Sequence, residues 1–331
     1  MSIAARELLM ALAAGPAISG NDLARQFGVT RAAIWKQVEN LRAFGAPIVA
    51  QGRQGYRLSA PLDLLDADAI RLSANMHSAR KICPLEVHWQ IDSTNSALLR
   101  RAQAGDTQTA ACFAEMQSAG RGRRGRGWHT PLGGGLAFSI LHRFNSSMAS
   151  LAGLSLAVGV GVVRALADLG FAGPGLKWPN DIQIDGSKLA GILIELGGDA
   201  LGPCHAVIGI GLNVRLDAHS DDHINQPWTD LTSLSDGPLP PRNQIAANVL
   251  CRVLDVLDEF ASHGFPSFAS EYSRYDVLHG RPISIFDGRE RRAAVAAGVD
   301  QVGNLRACAA DGEFLVDSGE VSVRATDGAS A

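Results

Sequence analysis

The chain has 331 residues, 46% of them apolar and 19% charged. At about 100–200 residues per domain this predicts two or three domains with sizeable cores. A net charge of −3 excludes a protein that is basic throughout, so any nucleic-acid contact is local. Five scattered cysteines with no Cys-x-x-Cys pair exclude a disulfide framework and predict reduced thiols in a cytoplasmic protein.

The first seven residues lack the basic and apolar stretches of a signal peptide. Apolar residues at helical spacing predict a helix over Ala5 to Ala14, stopped by Gly15-Pro16. Ser19 is placed to cap a second helix, Asn21 to Phe27, which ends at Gly28. Thr30 caps a third, Arg31 to Phe44, and short strands at 48–50 and 56–58 flank Gly52-Arg53-Gln54-Gly55 as a wing. Helix, glycine-centred turn, capped helix and wing form a winged helix-turn-helix pattern. Seven basic residues (6, 25, 31, 36, 42, 53, 57) outnumber three acidic ones, which favours DNA over a protein-contact module. Arg31, Trp35, Lys36 and Gln37 would face the major groove or flanking phosphates. An aromatic such as Trp35 is more often a packing residue than a base reader.

Residues 60–63 read as a linker. A helix capped by Asp66 runs to Met76, and a strand covers Val87 to Ile91. Asp92-Ser93-Thr94-Asn95-Ser96 then closes that strand and opens a helix over Ala97 to Ala104. Hydroxyls and an amide at a strand end suit a ligand, although an ordinary N-cap box has the same composition. The strand Ala110 to Ala114 leads into Gly120-Arg121-Gly122-Arg123-Arg124-Gly125-Arg126-Gly127-Trp128. Neither helix nor strand favours this composition, so it reads as a flexible basic loop. It is suited to a nucleotide phosphate or a nucleic acid, or is simply solvated. Strand character resumes over Leu136 to His142, so the loop joins two strands and its glycines allow it to fold over a ligand as a lid. Leu151 to Leu169 reads as a buried helix, interrupted by three glycines and two charges, and not as a membrane span. Strands follow over Gly175 to Trp178, Ile182 to Ile184, Lys188 to Leu196 and Ala206 to Val214, with a hairpin turn at Asp185-Gly186. Lys177 and Lys188 sit in apolar strands and need partners: a structural carboxylate, Asp181 or Glu195, or a bound anion. Gly209 and Gly211 remove side chains from one strand face and let a ligand or backbone approach.

Residues 216–241 read as loop. Helices follow over Asn243 to His263 and Phe265 to Asp276. Short strands from residue 281 to 324, with turns at Asp287-Gly288 and Asp311-Gly312, predict a small β-barrel of SH3-like size.

Five motifs in order resemble the bifunctional biotin–protein ligase/biotin-operon repressor family. They are Asp92 to Ser96, Gln117 to Arg126, Lys177-Trp178-Pro179-Asn180-Asp181, Lys188 to Glu195 and Gly209 to Asn213. The Thr30 cap with Arg31-Ala32-Ala33-Ile34 and Lys36 is similar to that family's recognition helix. The resemblance implies an α+β, multidomain fold. Its parts are a winged helix-turn-helix DNA-binding domain (1–60), a central mixed-sheet biotin/lipoate-ligase-type catalytic domain (61–277) and a C-terminal SH3-like β-barrel (278–331).

It also implies an ATP-dependent, AMP-forming ligase. Biotin and ATP give biotinyl-5′-AMP and pyrophosphate, and a lysine of the biotin carboxyl carrier protein of acetyl-CoA carboxylase then takes the biotin and releases AMP. By resemblance, Lys188, Arg123 and Lys177 are catalytic. Biotin is met by Ser93, Thr94, Asn95, Gln117, Arg121, Gly122, Arg123, Lys188, Gly191, Gly209 and Gly211. ATP or the adenylate is met by Arg123, Arg124, Arg126, Trp128, Lys177, Asn180, Asp181, Lys188, Asn213 and Arg324, with Asp181 a ligand for Mg²⁺. DNA is met by Ser19, Gly20, Arg31, Trp35, Lys36 and Gln37. The adenylate-bound form is expected to dimerise through edge strands of the central sheet and to repress biotin biosynthesis at operator DNA. No membrane partner is expected. Gly127 stands where some relatives have lysine, and Trp35 where some have a small polar residue. Three rivals remain: a lipoate-type ligase, a ligand-sensing transcription factor without ligase activity, and a ligase with a vestigial DNA-binding domain.

Overall fold

The computed structural model describes residues 5–13, 15–59, 62–74, 84–216, 220, 224–286, 290–317 and 322–325. In the N-terminal unit α1 (Ala5–Ala13) buries Leu8, Leu9 and Leu12. The next helix, α2 (Gly20–Phe27), begins where the Ser19 hydroxyl accepts from the Asp22 amide at 3.1 Å and ends at left-handed Gly28. Third is α3 (Arg31–Ala43), capped by Thr30, whose hydroxyl accepts from the Ala33 amide at 3.2 Å. It buries Ile34, Val38 and Leu41, spaced i, i+4, i+7. The wing is an antiparallel pair, β1 (Ile48–Ala50) and β2 (Tyr56–Leu58). It is stitched to the turn before α2 by the Ile18–Tyr56 bridge. Gly55 is required there: a Cβ would lie 2.0 Å from the Ile18 carbonyl oxygen.

Ala60 and Pro61 lie outside the described residues, but the rest of the expected linker is not a free tether. Leu62 and Leu64 pack on the N-terminal core, which also takes in Met116 and Leu132 of the next domain. Leu65 is buried in the central core. Its amide donates to Glu115, which is fully buried with Arg242. The Arg242 guanidinium reaches Glu115 Oε2 at 3.1 Å, the Gly135 carbonyl at 2.7 Å and the Asp63 carbonyl. Asn243 accepts from the Asp66 amide at 2.8 Å and donates to the Leu64 carbonyl at 3.0 Å. Asp66 caps α4 (Ala67–Ser73), which ends three residues short of the expected Met76; Met76 itself lies outside the described residues.

The central sheet contains β3 (Leu85–Ile91), β4 (Ala110–Gln117), β5 (Gly135–Phe144), β6 (Gly175–Lys177), β7 (Asp181–Ile184), β8 (Ser187–Gly198) and β9 (Cys204–Asn213). Their order is β3-β4-β5-β9-β8-β7-β6. Only β3 and β4 run parallel, so the sheet is mixed. The parallel pair is joined by α5 (Thr94–Gln103), which starts earlier than expected because Ser93 alone is its N-cap. Behind the sheet lie α6 (Leu154–Asp168), α7 (Arg242–His263) and α8 (Pro266–Tyr275).

The expected Leu151 to Leu169 helix is divided. A 3₁₀ turn, Met148–Leu151, precedes left-handed Gly153, where Phe265 leaves no room for a Cβ. The stretch Met148–Asp168 is apolar and long enough to cross a membrane, but 67% of its apolar window is buried in the protein. Gly161 admits Val256 of α7, and a Cβ there would stand 2.9 Å from it, so the helices pack closely. The hairpin β7–β8 turns at Asp185 and Gly186, both at positive φ, as the sequence suggested. Two residues differ from expectation: Trp178 lies beyond β6, and Asp181 opens β7 instead of completing the turn.

The C-terminal unit is an antiparallel five-stranded sheet, β13-β12-β11-β10-β14. Its strands are β10 (Pro282–Phe286), β11 (Arg291–Val299), β12 (Leu305–Ala309), β13 (Gly312–Val316) and β14 (Ser322–Ala325). The Asp311-Gly312 turn joins β12 to β13; Asp287-Gly288 lies outside the described residues. Wholly buried Trp178 donates from Nε1 to the Gly303 carbonyl at 3.0 Å, so the aromatic of the Lys-Trp-Pro-Asn-Asp motif docks this unit onto the central one.

Candidate functional site

A cavity opens on the sheet face away from α6 and α7. Its floor is β8 and β9, where Gly191 pairs with Gly211 and Leu193 with Gly209. One wall is the turn into α5, and the other is the basic loop between β4 and β5. The structure gathers Ser93, Thr94, Asn95, Gln117, Arg121, Gly122, Arg123, Arg126, Trp128, Asn180, Asp181, Lys188, Gly191, Gly209 and Gly211 around this one space.

The polar end is a tight network. The Thr94 amide donates to Gln117 Oε1 at 2.8 Å. Ser139 Oγ lies 2.5 Å from Asn95 Oδ1 and 2.7 Å from Thr94 Oγ1. An amide oxygen only accepts, so the Ser139 hydroxyl donates to Asn95. Asn95 Nδ2 donates to Glu195 Oε2 at 2.8 Å. The sequence reading missed Ser139, yet it is wholly buried, faces Gly209 across β5–β9, and is the one polar residue between Leu136 and Leu141. It also missed Gln226 as a lining residue.

The charged end holds Lys188, whose Nζ lies 2.6 Å from Asp181 Oδ1 and 5.6 Å from the Trp128 ring centre. Of the two carboxylates open to it, the lysine pairs with Asp181. Its backbone is bracketed by residues 227–229: its amide donates to the Pro227 carbonyl at 2.9 Å and its carbonyl accepts from the Thr229 amide at 3.0 Å.

The basic loop is folded, not extended. Gly122 N donates to the Arg126 carbonyl at 2.7 Å and Trp128 N to the Gly120 carbonyl at 2.9 Å. A 3₁₀ turn, Arg123–Gly125, occupies its tip. Arg121 reaches Glu195 Oε2 at 2.9 Å and Arg123 reaches Asn180 Oδ1 at 3.3 Å. Burial pulls the Arg123 guanidinium below its ordinary value, against the support of Asp181 and with the help of Arg124 and Arg126. Trp128 lies on Gly211, where a Cβ would stand 2.1 Å from the indole, and a Cβ on Gly209 would stand 2.3 Å from Asn95 Oδ1. The space those glycines leave is entered by the protein's own side chains.

Three expected ligand residues lie elsewhere, and a fourth has no described side chain. Arg124, at φ 59°, turns away from the cavity and stacks its guanidinium 5.7 Å from the Phe286 ring centre. Asn213 is buried and donates to the carbonyls of Lys188 (3.2 Å) and Thr229 (3.0 Å), where it serves the strand rather than the cavity. Lys177 sits half-buried on β6 and does not line the cavity. Arg324 has its backbone on β14 opposite Ser284, and its side chain lies outside the described residues. For Mg²⁺, the described residues contain no cluster of three metal-binding side chains. Asp181 and Asn180 supply two oxygens, a donor set that fits a metal already carried by phosphates rather than a protein cage.

In the N-terminal unit, Trp35 is 58% exposed, so it is not a packing residue. Arg31 and Lys36 are exposed beside it, Arg53 is exposed on the wing, and Gln37, Ser19 and Gly20 are half-buried. Arg6, Arg25 and Arg42 are committed to Asp66, Asp22 and Glu39.

Residues 87–213 match the Biotin/lipoate A/B protein ligase family, and residues 5–57 match an HTH domain. The chain is 36% identical over 301 residues to the bifunctional ligase/repressor BirA of Salmonella typhimurium, covering 90% of each. It is 34% identical to the biotin–[acetyl-CoA-carboxylase] ligase of Mycobacterium tuberculosis, covering 72% of this chain and 88% of that one. The Aquifex aeolicus biotin protein ligase, solved with biotin and ATP, superposes with a TM-score of 0.62 at 26% identity. That match covers 74% of this chain and all of the other.

Proposed function

The chain belongs to the biotin/lipoate A/B protein ligase family in its bifunctional ligase/repressor line, and from that premise we propose how its cavity works. The protein is a biotin–protein ligase. It joins biotin to AMP, then passes the biotin to a lysine of a biotin carboxyl carrier protein. The observation that carries this reading is the grouping of Lys188, Arg121, Arg123 and Arg126 over a glycine floor, next to an uncharged Ser-Thr-Asn network. A cyclic urea needs donors and acceptors at one end, and two anions need cations at the other.

The biotin carboxylate oxygen attacks the α-phosphorus of ATP: a mixed acyl–phosphate anhydride bond forms, the α–β phosphoanhydride bond breaks and pyrophosphate leaves. Both reactants are anionic, so holding them together requires offsetting charge. Lys188 meets the carboxylate and the forming anhydride, Arg123 the phosphate, and the lid keeps water from the mixed anhydride. Asp181 and Asn180 are the residues that would hold a Mg²⁺ brought in by ATP, and the ion would screen phosphate charge there. In the second step the carrier amine attacks the acyl carbonyl and AMP leaves. We keep Lys177 and Arg324 as groups of the nucleotide side, and Arg124 as a residue of the lid.

We read the C-terminal sheet as an SH3-like barrel and residues 1–60, 61–277 and 278–331 as the three domains. Exposed Arg31, Trp35, Lys36 and Arg53 favour an operator-binding surface on the first. Among the described residues, β8 beyond Gly191 pairs only with β9, so 193–198 offers a strand edge with Leu196 exposed. That edge suits antiparallel dimerisation of the adenylate-bound form. Unpaired Cys112, Cys204, Cys251 and Cys308 fit a reducing cytoplasm.

The test is incubation of the purified protein with biotin, ATP and a carrier domain. The expected result is one biotin on one acceptor lysine by mass spectrometry; an unmodified carrier, or transfer of lipoate in preference, would refute the reading. For the repressor half, adenylate-loaded protein is expected to bind operator DNA with salt sensitivity, and removal of residues 1–60 to abolish this. Equal binding by the truncated protein would refute it.

A further inference from the structure

Glu195 lies one step outside the cavity on β8 and joins two of its walls. The face of β8 that carries Gly191 and Leu193 into the cavity continues to residue 195, because strand side chains alternate. The Glu195 side chain is 25% exposed. Its Oε2 accepts from Asn95 Nδ2 at 2.8 Å and from Arg121 Nη2 at 2.9 Å. A single carboxylate oxygen therefore fixes both the α5 wall and the first arginine of the lid. The amide of Asn95 is held at both ends, since Ser139 donates to its oxygen. Its Oδ1 edge can then point only one way.

We propose that Glu195 is a positioning residue for the biotin end of the site: it sets the orientation of the Asn95 amide and latches Arg121 so that the lid closes over that end. The proposal rests on the ligase reading given above. The chemistry needs a carboxylate at this position. A neutral glutamine can still accept from Asn95, but it presents an amide N–H₂ or an uncharged oxygen to the guanidinium, so the charge-assisted bond is lost. Alanine loses both contacts and leaves the Asn95 amide held by Ser139 at its oxygen and by a long 3.3 Å bond from Nδ2 to the Leu193 carbonyl. The nucleotide end is held separately, by the Lys188–Asp181 pair and the Arg123–Asn180 contact, so a change at Glu195 acts on one substrate before the other.

The experiment is a double-mutant cycle of Glu195→Gln, Arg121→Gln and the pair, read as KM for biotin, KM for ATP, kcat, calorimetric biotin affinity, and trypsin cleavage within 121–126. Each single variant is expected to raise KM and Kd for biotin about tenfold, with KM for ATP and kcat within about twofold of wild type. The lid should become more readily cleaved, and the double variant should be no worse than the poorer single one. A biotin KM unchanged in Glu195→Gln, equal rises in both KM values, or additive effects would overturn the proposal, because a merely structural glutamate would affect both substrates and stability together. If Glu195→Gln does not fold, Arg121→Gln alone must still show the split between the two substrates, and its absence overturns the latch. Wild-type protein that shows no calorimetric biotin binding would overturn the ligase reading itself. Binding in wild type with unchanged binding in Glu195→Gln overturns only the positioning role.

Discussion

Lys188 shows what a side chain gains from its setting. It lies at the start of an apolar strand, is mostly buried, and meets one carboxylate and one indole. Replacement by alanine removes the cation we assign to the biotin carboxylate and is expected to lower adenylate formation by about 10²-fold or more in a pyrophosphate-exchange assay. Gly211 is constrained by the indole lying on it. Gly211→Ala is expected to push Trp128 off the floor, seen as a red shift and quenching change in tryptophan emission together with a raised KM for ATP. Cys112 makes a prediction about pH. Burial, with Glu86 adding to it, pushes its thiol up to about 12 from 9.0. The folded state thus holds this proton more tightly than the unfolded one. The associated stability is complete below about pH 9 and is lost as pH rises from there towards 12. At pH 7 a thiol reagent is expected to leave Cys112 unlabelled until denaturant is added. Among the site residues, those legible in the sequence were the ones whose type is out of place locally, such as the lysine in an apolar strand and the arginines between glycines. Ser139 was not, because its role depends on a partner 44 residues distant, and Glu195 was named only as a possible partner for a lysine, whereas it meets Asn95 and Arg121.

At the scale of elements, the helices with side-chain caps were read closely: α2 and α3 begin one residue after Ser19 and Thr30. Thr30→Ala is expected to destabilise α3 by about 1 kcal/mol, measured as lost amide-exchange protection over residues 31–35. Boundaries without such a signal were misread. The box at 92–96 contains five residues able to cap, and composition alone does not say that Ser93 is the cap. The break before α6 depends on Phe265, more than a hundred residues later. The order of the seven strands has the same character, since β5 pairs with β9 across an intervening helix and three strands. The lid's resting form was also beyond reach. Alternating glycine and arginine suggests a mobile loop, whereas tertiary contacts to Glu195, Asn180 and Phe286 fold it back on itself.

At the scale of the whole molecule, the C-terminal unit is joined to the central one by the buried Trp178–Gly303 contact, and the chain entering from the first unit is held by the central unit's Arg242–Glu115 pair. Breaking a buried ion pair strands the remaining charge. Glu115→Ala is therefore expected to cost about 3–5 kcal/mol, read as a lowered denaturation midpoint, and Arg242→Ala a comparable amount. That clamp grips the connector at Asp63 and Leu65. Leu62 and Leu64 belong to the core of the first unit, whereas Leu65 and Asp66 are bonded into the second, so the seam between domains passes between adjacent residues. Exchange of the first unit for a foreign DNA-binding head therefore has a narrow allowance. A junction before Leu62 keeps the bonds to Glu115 and Asn243 and leaves Leu62 and Leu64 in place to meet the new head, whereas one at Asp66 removes both leucines beside Met116 and Leu132 as well. The head is inherited as a part only together with its stalk.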